Sequence, residues 1–491
     1  MQKVDSIWQR YLNRRQMLKN VSGLIGLGGL YTATNGMISP LFAAAGAEKP
    51  LTRKRLGIIG GGMGGLATAW LCDDAWDVEL FEARDRIGGH CDTRDVEYQG
   101  HTIAVDLGAQ FFHPDTHPYY LSLLEELGLF QEDARDQDQV LEAPGSLSIY
   151  QLPKQDPYFI SSQPFANLRL SLDFAIYTQA ARAMITRNGS YETTLEDWIA
   201  QLPVSKDFKY RLLLPWMSAL IGTTIDNARR TSARSLLQSF ALSFPANILK
   251  GASTWNSKIG LQGNLQAMID QCQNLRVSLS SPVSRIEKRE GAWYVSTPSG
   301  EQGPFDQLVI NAQPQYSKNW VATLPWAKDL AAILGRYEYF DARIVIHSDP
   351  CYLLKDRKQW SVYNAGIDDD SCEGSVWLGG IHEKIDGAPI DLFKSWAYHR
   401  DRDPDHIIHE RSFRHPLITP DVIRAARELA HWQGVEGLWF AGQHTTGMDL
   451  QDGALFSATE VARHLSPRSP QLKALRDRLA AKGLAKVSYR V

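Results

Sequence analysis

A short apolar run that leads into six glycine-rich residues constrains the fold of this chain more than any other feature. Leu56-Gly57-Ile58-Ile59 is typical of a buried strand, and Gly60-Gly61-Gly62-Met63-Gly64-Gly65 follows it, after which apolar residues recur at helical spacing. Strand, glycine turn and helix in this order form the dinucleotide-binding fingerprint of a Rossmann-type fold. Gly60 would make the tight turn, Gly62 would admit a pyrophosphate, and Gly65 would let the helix pack closely.

A carboxylate at the end of the next strand narrows the choice of dinucleotide. Val78-Glu79-Leu80-Phe81 reads as a second strand and is followed by Glu82, 22 residues after Gly60. A carboxylate at this place accepts hydrogen bonds from the adenosine ribose hydroxyls and repels a 2′-phosphate. NADP is therefore disfavoured.

The segment after the second strand resembles the flavin amine oxidase and phytoene desaturase superfamily. It reads Glu82-Ala83-Arg84-Asp85-Arg86-Ile87-Gly88-Gly89-His90, and in that superfamily the glycine pair lets backbone amides contact the FAD pyrophosphate. The family usually has arginine where this chain has His90, and a neutral imidazole is a weaker phosphate partner than a guanidinium. The resemblance implies FAD as the cofactor.

Three further parts of the chain are similar to the same superfamily. Residues 105–112 resemble the segment that passes near the flavin ring, and residues 282–286 resemble the strand whose valine holds the adenine, with an ordinary sheet strand as the alternative. Residues 437–444 and 452–459 resemble a strand end and a helix N-terminus that meet the flavin, where the helix would stabilise charge on the reduced ring. Family members often have an acidic residue where Gln443 stands. The residues assigned to FAD in this way are Gly60, Gly62, Met63, Gly64, Gly65, Glu82, Ala83, Arg84, Gly88, Gly89, His90, Gly108, Ala109, Gln110, Phe111, Val283, Gly442, Gln443, Asp452, Gly453 and Ala454.

The resemblance covers most of 55–465 and predicts an α/β fold: a Rossmann-like FAD-binding domain with an inserted α+β substrate domain. Residues 114–249 read mainly as helical, with helices expected at 119–129, 172–186, 194–202 and 208–220, and strands are expected at 308–314, 336–349 and 361–382. The predicted parts are a signal peptide (1–47), FAD-binding segments (55–113, 256–314 and 435–465), a helical cap or substrate domain (114–255), a substrate-domain sheet (315–434) and a basic amphipathic tail (466–491).

The middle of the chain offers candidates for a substrate site. Segments around His347, Trp360 and His415 resemble a group of bacterial proteins described as predicted NAD/FAD-binding proteins, whose relatives include proteins linked to unsaturated fatty acids. This points to a small-molecule substrate of apolar character. Trp360, Tyr363 and Trp377 are candidates to line its pocket, with ordinary core packing as the alternative. His347 and His415 are candidate acid–base groups, with structural histidines as the alternative.

One departure from the family weakens the interpretation as an amine oxidase. Amine oxidases of the superfamily usually carry a lysine near the flavin N5 that holds a water, and strand context places that position near Arg343, where the sequence has no lysine. Arginine is a poor water-activating base because it is not readily deprotonated. We find no catalytic triad, metal cluster or paired carboxylate motif, so the catalytic residues stay unassigned and no metal is expected.

The N-terminus predicts export. Asn13-Arg14-Arg15-Gln16-Met17-Leu18-Lys19 resembles the twin-arginine motif; a mildly apolar run and the small residues 43–47 follow it in the order that a signal peptidase requires. A frayed amphipathic helix or a retained anchor is the alternative. The expected partner is the twin-arginine export machinery, which carries folded cargo, and the expected location is the periplasm.

Composition excludes some classes of partner. The net charge of −3 provides no basic surplus for nucleic acid, and no apolar stretch is long enough to span a bilayer. The five cysteines form no C-x-x-C pair, although Cys351 and Cys372 could pair in an oxidising compartment. In the tail, Leu472, Leu475 and Leu479 would share one side of a basic helix, which could contact an anionic membrane or pack on its own domain.

Three functions are compatible with these features. The first is an FAD-dependent oxidoreductase that transfers a hydride from an organic substrate to the flavin, whose chemistry the protein orients and tunes. The second is a flavin-dependent desaturase or double-bond isomerase of an unsaturated lipid. The third is a flavoprotein without catalytic activity.

Overall fold

The structure is a computed structural model that describes residues 53–131, 139–247, 250–397 and 402–491. The predicted signal peptide at 1–47 lies outside the described residues. The strands are β1 (Lys54–Ile59), β2 (Trp76–Phe81), β3 (Thr93–Tyr98), β4 (His101–Asp106), β5 (Val140–Pro144), β6 (Leu147–Gln151), β7 (Asp156–Ile160), β8 (Ser253–Ser257), β9 (Leu275–Ser278), β10 (Arg285–Arg289), β11 (Ala292–Thr297), β12 (Gly300–Phe305), β13 (Gln307–Ile310), β14 (Glu338–His347), β15 (Tyr363–Ile367), β16 (Cys372–Trp377), β17 (Phe393–Trp396), β18 (Ile407–Leu417) and β19 (Leu438–Phe440).

The helices fall largely between the strands of the two main sheets. They are α1 (Met63–Cys72), α2 (Pro118–Glu126), α3 (Leu168–Thr186), α4 (Leu195–Gln201), α5 (Lys206–Phe208), α6 (Leu214–Ile221), α7 (Ile225–Arg230), α8 (Ala233–Gln238), α9 (Gly260–Asp270), α10 (Pro314–Val321), α11 (Lys328–Leu334), α12 (Pro420–Ala430), α13 (Gln451–Leu465) and α14 (Pro470–Ala481). A π-helical turn at Lys209–Leu213 joins α5 to α6.

Five parallel strands form the sheet that the glycine motif predicts, in the order β19-β13-β1-β2-β9. β1 lies in the middle, and α1 starts directly after the glycine turn that ends β1. All ten residues of α1 are buried, because the helix lies between this sheet and α13. The α/β fold with a Rossmann-like domain is confirmed, and strands from both ends of the chain build its sheet.

A second sheet of seven strands forms the other main layer, in the order β18-β14-β17-β16-β15-β6-β7. β17 lies inside this sheet and pairs antiparallel with β14 and β16. Successive side chains of a strand point to opposite faces: Ser395 is hydrogen-bonded to His347, whereas Lys394 and Trp396 face the cavity described below.

The prediction that 114–249 is mainly helical is wrong for residues 140–160, which form β5, β6 and β7. These strands have five residues each, too few for a period-2 pattern to stand out, and β6 and β7 depend on pairing with the substrate-domain sheet. The helices expected on either side are present as α2, α3, α4, and the continuous α5–α6 segment.

The C-terminal tail packs on its own domain. Leu472, Leu475 and Leu479 of α14 are at most 3% exposed, and Arg478 and Lys482 form ion pairs with acidic residues of α2. The apolar side of this helix is therefore not available to a membrane. Within the described ranges, no helix has the length and apolar character needed to cross a bilayer, and Cys351 and Cys372 are not joined by a disulfide.

Candidate functional site

A cavity of about 650 Å³ opens at the carboxyl ends of the parallel strands. Its lining includes Gly60 after β1, Glu82 after β2, Asn311 after β13 and Gly442 after β19. This is the edge at which open α/β sheets bind ligands, and the volume lies within the range of about 300–1,000 Å³ that is usual for ligand pockets. Every residue assigned to FAD from the sequence lines this cavity except Gly65, Asp452 and Gly453.

The glycine turn brings α1 close to the end of β1. Gly60 has a φ of +106°, a conformation that favours glycine, and its amide donates to the carbonyl of Phe81 at 2.8 Å. A Cβ on Gly65 would lie 2.1 Å from the Gly60 carbonyl oxygen. Gly65 therefore acts in packing α1 against the turn rather than in lining the cavity, which is the role that the fingerprint gives it.

Glu82 connects the glycine turn to the segment that follows β2. One carboxylate oxygen, Oε2, accepts from the backbone N–H of Gly61 at 2.7 Å, and Oε1 accepts from that of Arg84 at 2.9 Å. The side chain also lines the cavity, so its remaining lone pairs face the space where an adenosine ribose would lie.

The glycine pair at 88–89 approaches the same turn from the other side. The amide of Gly88 donates to the Gly61 carbonyl at 2.8 Å, and a Cβ on Gly89 would come within 3.3 Å of the Cα of Gly62. Both glycines have positive φ, +110° and +61°. Backbone alone fills the narrow part of the cavity here, which leaves room for a pyrophosphate.

Positive charge surrounds the glycine pair although position 90 has lost the arginine of the family. Arg86 donates to the Gly89 carbonyl at 3.0 Å and forms an ion pair with Asp92, a carboxylate that Arg94 and Arg411 also contact. Arg84 lines the cavity itself. Burial, and next the charge of Arg411, lower the pKa of Arg84 below that of an exposed arginine. An anion beside Arg84 would relieve both effects.

Asn311, directly after β13, lies between the N-terminal glycine turn at 60–64 and Gly442 from the C-terminal part of the chain. Its Nδ2 donates to the Gly60 carbonyl at 3.1 Å, and a Cβ on Gly64 would lie 2.6 Å from its Oδ1 and 2.8 Å from the amide of Gly442. Gly442 itself has a φ of +124°. Gly442 and the glycine turn at 60–64 thus together form one narrow, backbone-lined end of the cavity, which we call the cofactor cradle.

Asp452 does not line the cavity, which corrects its assignment to FAD. It is fully buried, accepts from the backbone N–H of Tyr120 at 2.6 Å and from the Tyr489 hydroxyl at 2.5 Å, and fixes the start of α13 to α2 and to the end of the chain. Gly453 is also off the lining, whereas Ala454 lies on it. Asp452 thus positions the helix start without facing a ligand.

A buried lysine faces the cavity from β17. The Nζ of Lys394 donates to the Gly108 carbonyl at 2.6 Å and to Oε1 of Gln110 at 3.2 Å, so it ties the second sheet to the segment expected near the flavin ring. Burial lowers the pKa of the Lys394 amine to about 7, and the carboxylate of Asp106 opposes that shift. The cavity thus has a lysine on its lining, and that lysine lies on β17, the strand next to the one that carries Arg343.

Arg343 is not part of the site. Its guanidinium forms ion pairs with Asp403 at 2.6 Å and Glu410 at 2.7 Å, and it does not line the cavity. These hydrogen bonds to the two carboxylates raise the pKa of Arg343. Position 343, which the sequence indicated, is therefore not where the lysine of the cavity lies; that residue is Lys394.

The candidate acid–base histidines separate into one cavity residue and one core residue. His415 lies on the cavity beside His90, with ring centroids 4.9 Å apart, and burial lowers the pKa of His415 to about 3 and that of His90 to about 4. Both imidazoles are thus neutral at pH 7. His347 is off the cavity lining; its Nε2 lies 2.8 Å from the Ser395 hydroxyl.

The outer wall of the cavity is largely apolar. Its cap part is formed by residues of α6, of α8 and of the segments beside α8, and its sheet part by residues of the second sheet and Ile418; they are Leu220, Ile221, Thr231, Ser232, Ser235, Leu236, Ser239, Ile344, Lys394, Trp396, Phe413 and Ile418. Trp360, Tyr363 and Trp377 are not on the lining, so core packing, the alternative to a pocket role, describes them; Trp360 and Trp377 pack edge to face with ring centroids 5.4 Å apart. Trp396, on β17, lines the outer wall instead.

Among the lining residues that the sequence did not assign to the site, three carry polar or charged groups of interest: Asn311, Lys394 and Asp449. Asn311 carried a usable signal, because a polar residue directly after an apolar strand marks the ligand edge of a parallel sheet. The sequence signal at Lys394 was weaker: it is a single cation within an otherwise uncharged strand. Asp449 had none; its burial raises the pKa of its carboxyl to about 7.

The residues present fit FAD. Glycine backbone leaves the room that a pyrophosphate needs, and the carboxylate of Glu82 and the guanidinium of Arg84 lie on the same part of the cavity lining, where a ribose and a pyrophosphate could each find a partner. Among the described residues, no group of His, Cys, Asp and Glu side chains could hold a metal ion.

Comparison with solved structures shows the same fold. A CLA-producing fatty acid isomerase from P. acnes matches with a TM-score of 0.61 at 14% identity over 84% of this chain and 98% of its own. Cyclohexylamine oxidase from Brevibacterium oxydans IH-35A matches with a TM-score of 0.58 at 16% identity over 84% and 99%. Putrescine oxidase bound to putrescine gives 0.58 at 14% identity over 85% and 99%. Comparison with curated protein sequences finds no match.

The fold and the cavity edge define the class of an FAD-dependent oxidoreductase. The chain belongs to the family of flavin containing amine oxidoreductases, since the model of that family matches residues 63–339, more than half of the chain. Its cofactor is FAD.

Proposed function

We propose that the enzyme oxidises an apolar organic molecule bound between the flavin and the outer wall of the cavity. The observation that carries the proposal is this wall, in which aliphatic and aromatic side chains are joined by small hydroxyl side chains of the cap and by one buried amine, that of Lys394. A cavity of this kind accepts a molecule with a long apolar part and one polar end, because each buried polar group must find a partner.

We assign FAD to the strand-end side of the same cavity. Glu82 would accept from the adenosine ribose, Val283 would lie at the adenine, and the glycines at 60–64 and 88–89 would admit the pyrophosphate, with Arg84 as its cation. Gly108 to Phe111, with Gly442, Gln443 and Ala454, would hold the flavin ring. When bound, FAD supplies the two-electron acceptor for a hydride from the substrate.

Two side chains on the lining can hold or release a proton near neutral pH. Lys394 does so at Nζ and Asp449 at its carboxyl group, because burial brings both pKa values to about 7. Lys394 also fixes the segment of Gly108 and Gln110 in place. The neutral rings of His90 and His415 add polar atoms without charge, which suits a substrate that is mostly uncharged.

Anaerobic reduction tests the proposal. The FAD-loaded enzyme is mixed with amines, amino acids and long-chain unsaturated or hydroxylated compounds, and the loss of the visible flavin band is followed by stopped flow. Bleaching by apolar compounds is expected, with Lys394→Met slowed and the remote variant Arg343→Ala unchanged. Rapid bleaching by short polar amines alone would contradict an apolar substrate.

A second candidate is double-bond isomerisation of an unsaturated lipid, which the same apolar wall favours. Anaerobic incubation with an unsaturated fatty acid distinguishes the two reactions. A shifted double bond with the flavin spectrum retained supports isomerisation, and stoichiometric bleaching with an oxidised product supports net oxidation.

We also propose that the enzyme is exported to the periplasm by the twin-arginine route, on the basis of the motif at residues 13–19. Folded cargo can carry a cofactor inserted in the cytoplasm. Cell fractionation of the natural chain against Arg14→Lys/Arg15→Lys tests this: the variant should stay in the cytoplasm, loaded with FAD. Equal periplasmic amounts of both chains would contradict the route.

A further inference from the structure

The exposed side of helix α3 is unlike the rest of the protein surface. Of the nine large apolar side chains that are exposed within the described ranges, four belong to the stretch 165–176. Phe165 is 87% exposed on the loop before α3, and Leu168, Leu172 and Ile176 are 55%, 58% and 42% exposed. We call these four residues the α3 stripe.

The stripe follows helical geometry. Positions 168, 172 and 176 are spaced four residues apart and so lie along one side of α3. The exposed side continues toward the C-terminus through Gln179, which is uncharged. With 19 residues, α3 is about 28 Å long. The other side of the helix packs inward through Leu170, Tyr177 and Ala181.

Charge along the exposed side of α3 is of one sign. Arg169 and Arg187 are exposed and lie 18 residues apart, five helical turns, so both stand on the same edge of the stripe. The helix has one carboxylate, Asp173, which is buried and accepts from the Ser205 hydroxyl at 2.5 Å. The exposed side thus combines apolar groups with cations and offers no anion.

We propose that the α3 stripe docks the enzyme on an anionic phospholipid surface. An apolar side flanked by cations is the arrangement that places a helix in the plane of a bilayer interface, with the aromatic residue at the loop tip inserted among the headgroups. An anionic phospholipid matches both the apolar and the cationic groups of this surface, since its acyl chains would contact the α3 stripe and its phosphate would pair with Arg169 and Arg187.

Other occupants match less well. A symmetric contact between two copies would bring the same acid-free side against itself, so Arg169 and Arg187 would lack carboxylate partners. The chain's own residues 1–47 have five basic residues and one acidic residue and would repel the same cations. The alternative membrane segment, the tail, has its leucines buried.

The position of α3 connects this surface to the cavity. α3 packs against α8, and Ser235 and Leu236 of α8 line the outer wall. A docked enzyme would therefore turn its cap toward the lipid. The docking itself does not depend on the proposed substrate, because it rests on the surface alone.

Vesicle sedimentation tests the proposal. The FAD-loaded chain is incubated with vesicles of phosphatidylglycerol and phosphatidylcholine or of phosphatidylcholine alone, and the bound fraction is measured. Binding to the anionic vesicles is expected. The variant Phe165→Ser/Leu168→Gln/Leu172→Gln/Ile176→Gln should weaken the partition by about tenfold or more. Arg169→Gln and Arg187→Gln should each weaken it about fivefold on anionic vesicles only.

The matched control removes exposed apolar residues elsewhere, as Leu279→Gln/Ile408→Gln/Val435→Gln, whose side chains are 41%, 40% and 37% exposed. It should bind as the natural chain does, and all variants should retain FAD and their melting temperature. The proposal fails if the natural chain does not sediment with anionic vesicles, if the control loses binding equally, or if Arg476→Gln in the tail abolishes it. It also fails if the stripe variant only converts a dimer to a monomer.

Discussion

The carboxylate of Glu82 gives the sharpest test of how the enzyme holds its cofactor. Glu82→Ala removes the acceptor for the Gly61 N–H at 2.7 Å and for the Arg84 N–H at 2.9 Å, together with the expected bonds from the adenosine ribose. A hydrogen bond to a charged group contributes about 1.5–3 kcal/mol. Loss of one such bond to FAD raises Kd roughly 10- to 150-fold, since about 1.4 kcal/mol corresponds to a factor of ten.

The assay is a titration of deflavinated protein with FAD, followed by the quenching of flavin fluorescence. Glu82→Gln keeps one carbonyl oxygen for the Gly61 amide and should lie between the natural chain and Glu82→Ala. Glu79 supplies the matched control: it stands on β2, the strand that Glu82 directly follows, and pairs with Arg55 and Arg276 instead of facing the cavity. Glu79→Gln should lower thermal stability and leave FAD affinity unchanged.

Two results would refute this reasoning. One is a Kd of Glu82→Ala within twofold of that of the natural chain while the apoprotein stays folded, since the carboxylate would then face no ribose. The other is an equal loss of FAD affinity in Glu79→Gln, because the loss in Glu82→Ala would then come from a general disturbance of β2 and not from the Glu82 carboxylate.

The remaining predictions concern packing, charge and pH. Gly65→Ala places a Cβ 2.1 Å from the Gly60 carbonyl oxygen and should cost about 1–3 kcal/mol in the free energy of unfolding, whereas Gly251→Ala, with nothing within 4 Å, should be neutral in urea denaturation. Asp92→Ala leaves Arg86 and Arg411 without their carboxylate and should destabilise by about 3–5 kcal/mol in the same assay; a change below 1 kcal/mol would show that solvent screens the cluster. The Lys394 amine is protonated below its pKa of about 7 and neutral above it, and the Asp449 carboxyl is neutral below its pKa of about 7 and charged above it. The flavin spectrum of the loaded enzyme should therefore titrate near neutral pH in two components, one lost in Lys394→Met and the other in Asp449→Asn, and a titration lost instead in His415→Asn would contradict the assignment.

The FAD-binding half of the fold was predictable because its signals are local. The turn at Gly60 requires a left-handed conformation and Gly65 requires close packing, and both requirements are met by neighbours in the sequence. The order of strand, turn and helix therefore indicated the parallel sheet and its ligand edge.

The substrate side was less predictable because it depends on pairing between distant strands. Lys394 reaches the cavity only through the register of β17 against β14, and the single cation in its own segment does not indicate that register. The same dependence on pairing between distant strands explains why the position of Arg343 did not indicate the lysine on the lining, which lies on β17. Asp452 was misplaced for a related reason: its partner Tyr489 lies 37 residues further on.

The bond between Asp452 and Tyr489 has a consequence for biosynthesis. Tyr489 lies 37 residues after Asp452, is 4% exposed, and reaches the start of α13, while the opposite half of the cradle at Gly60 is made early. A ribosome adds roughly 5–20 residues per second, so β1 and α1 wait for tens of seconds before β19 exists to pair with β13. The cofactor cradle therefore closes only after residues 438–489 have been synthesised. A chain truncated before Tyr489 would be expected to be synthesised in full amount and yet to be colourless.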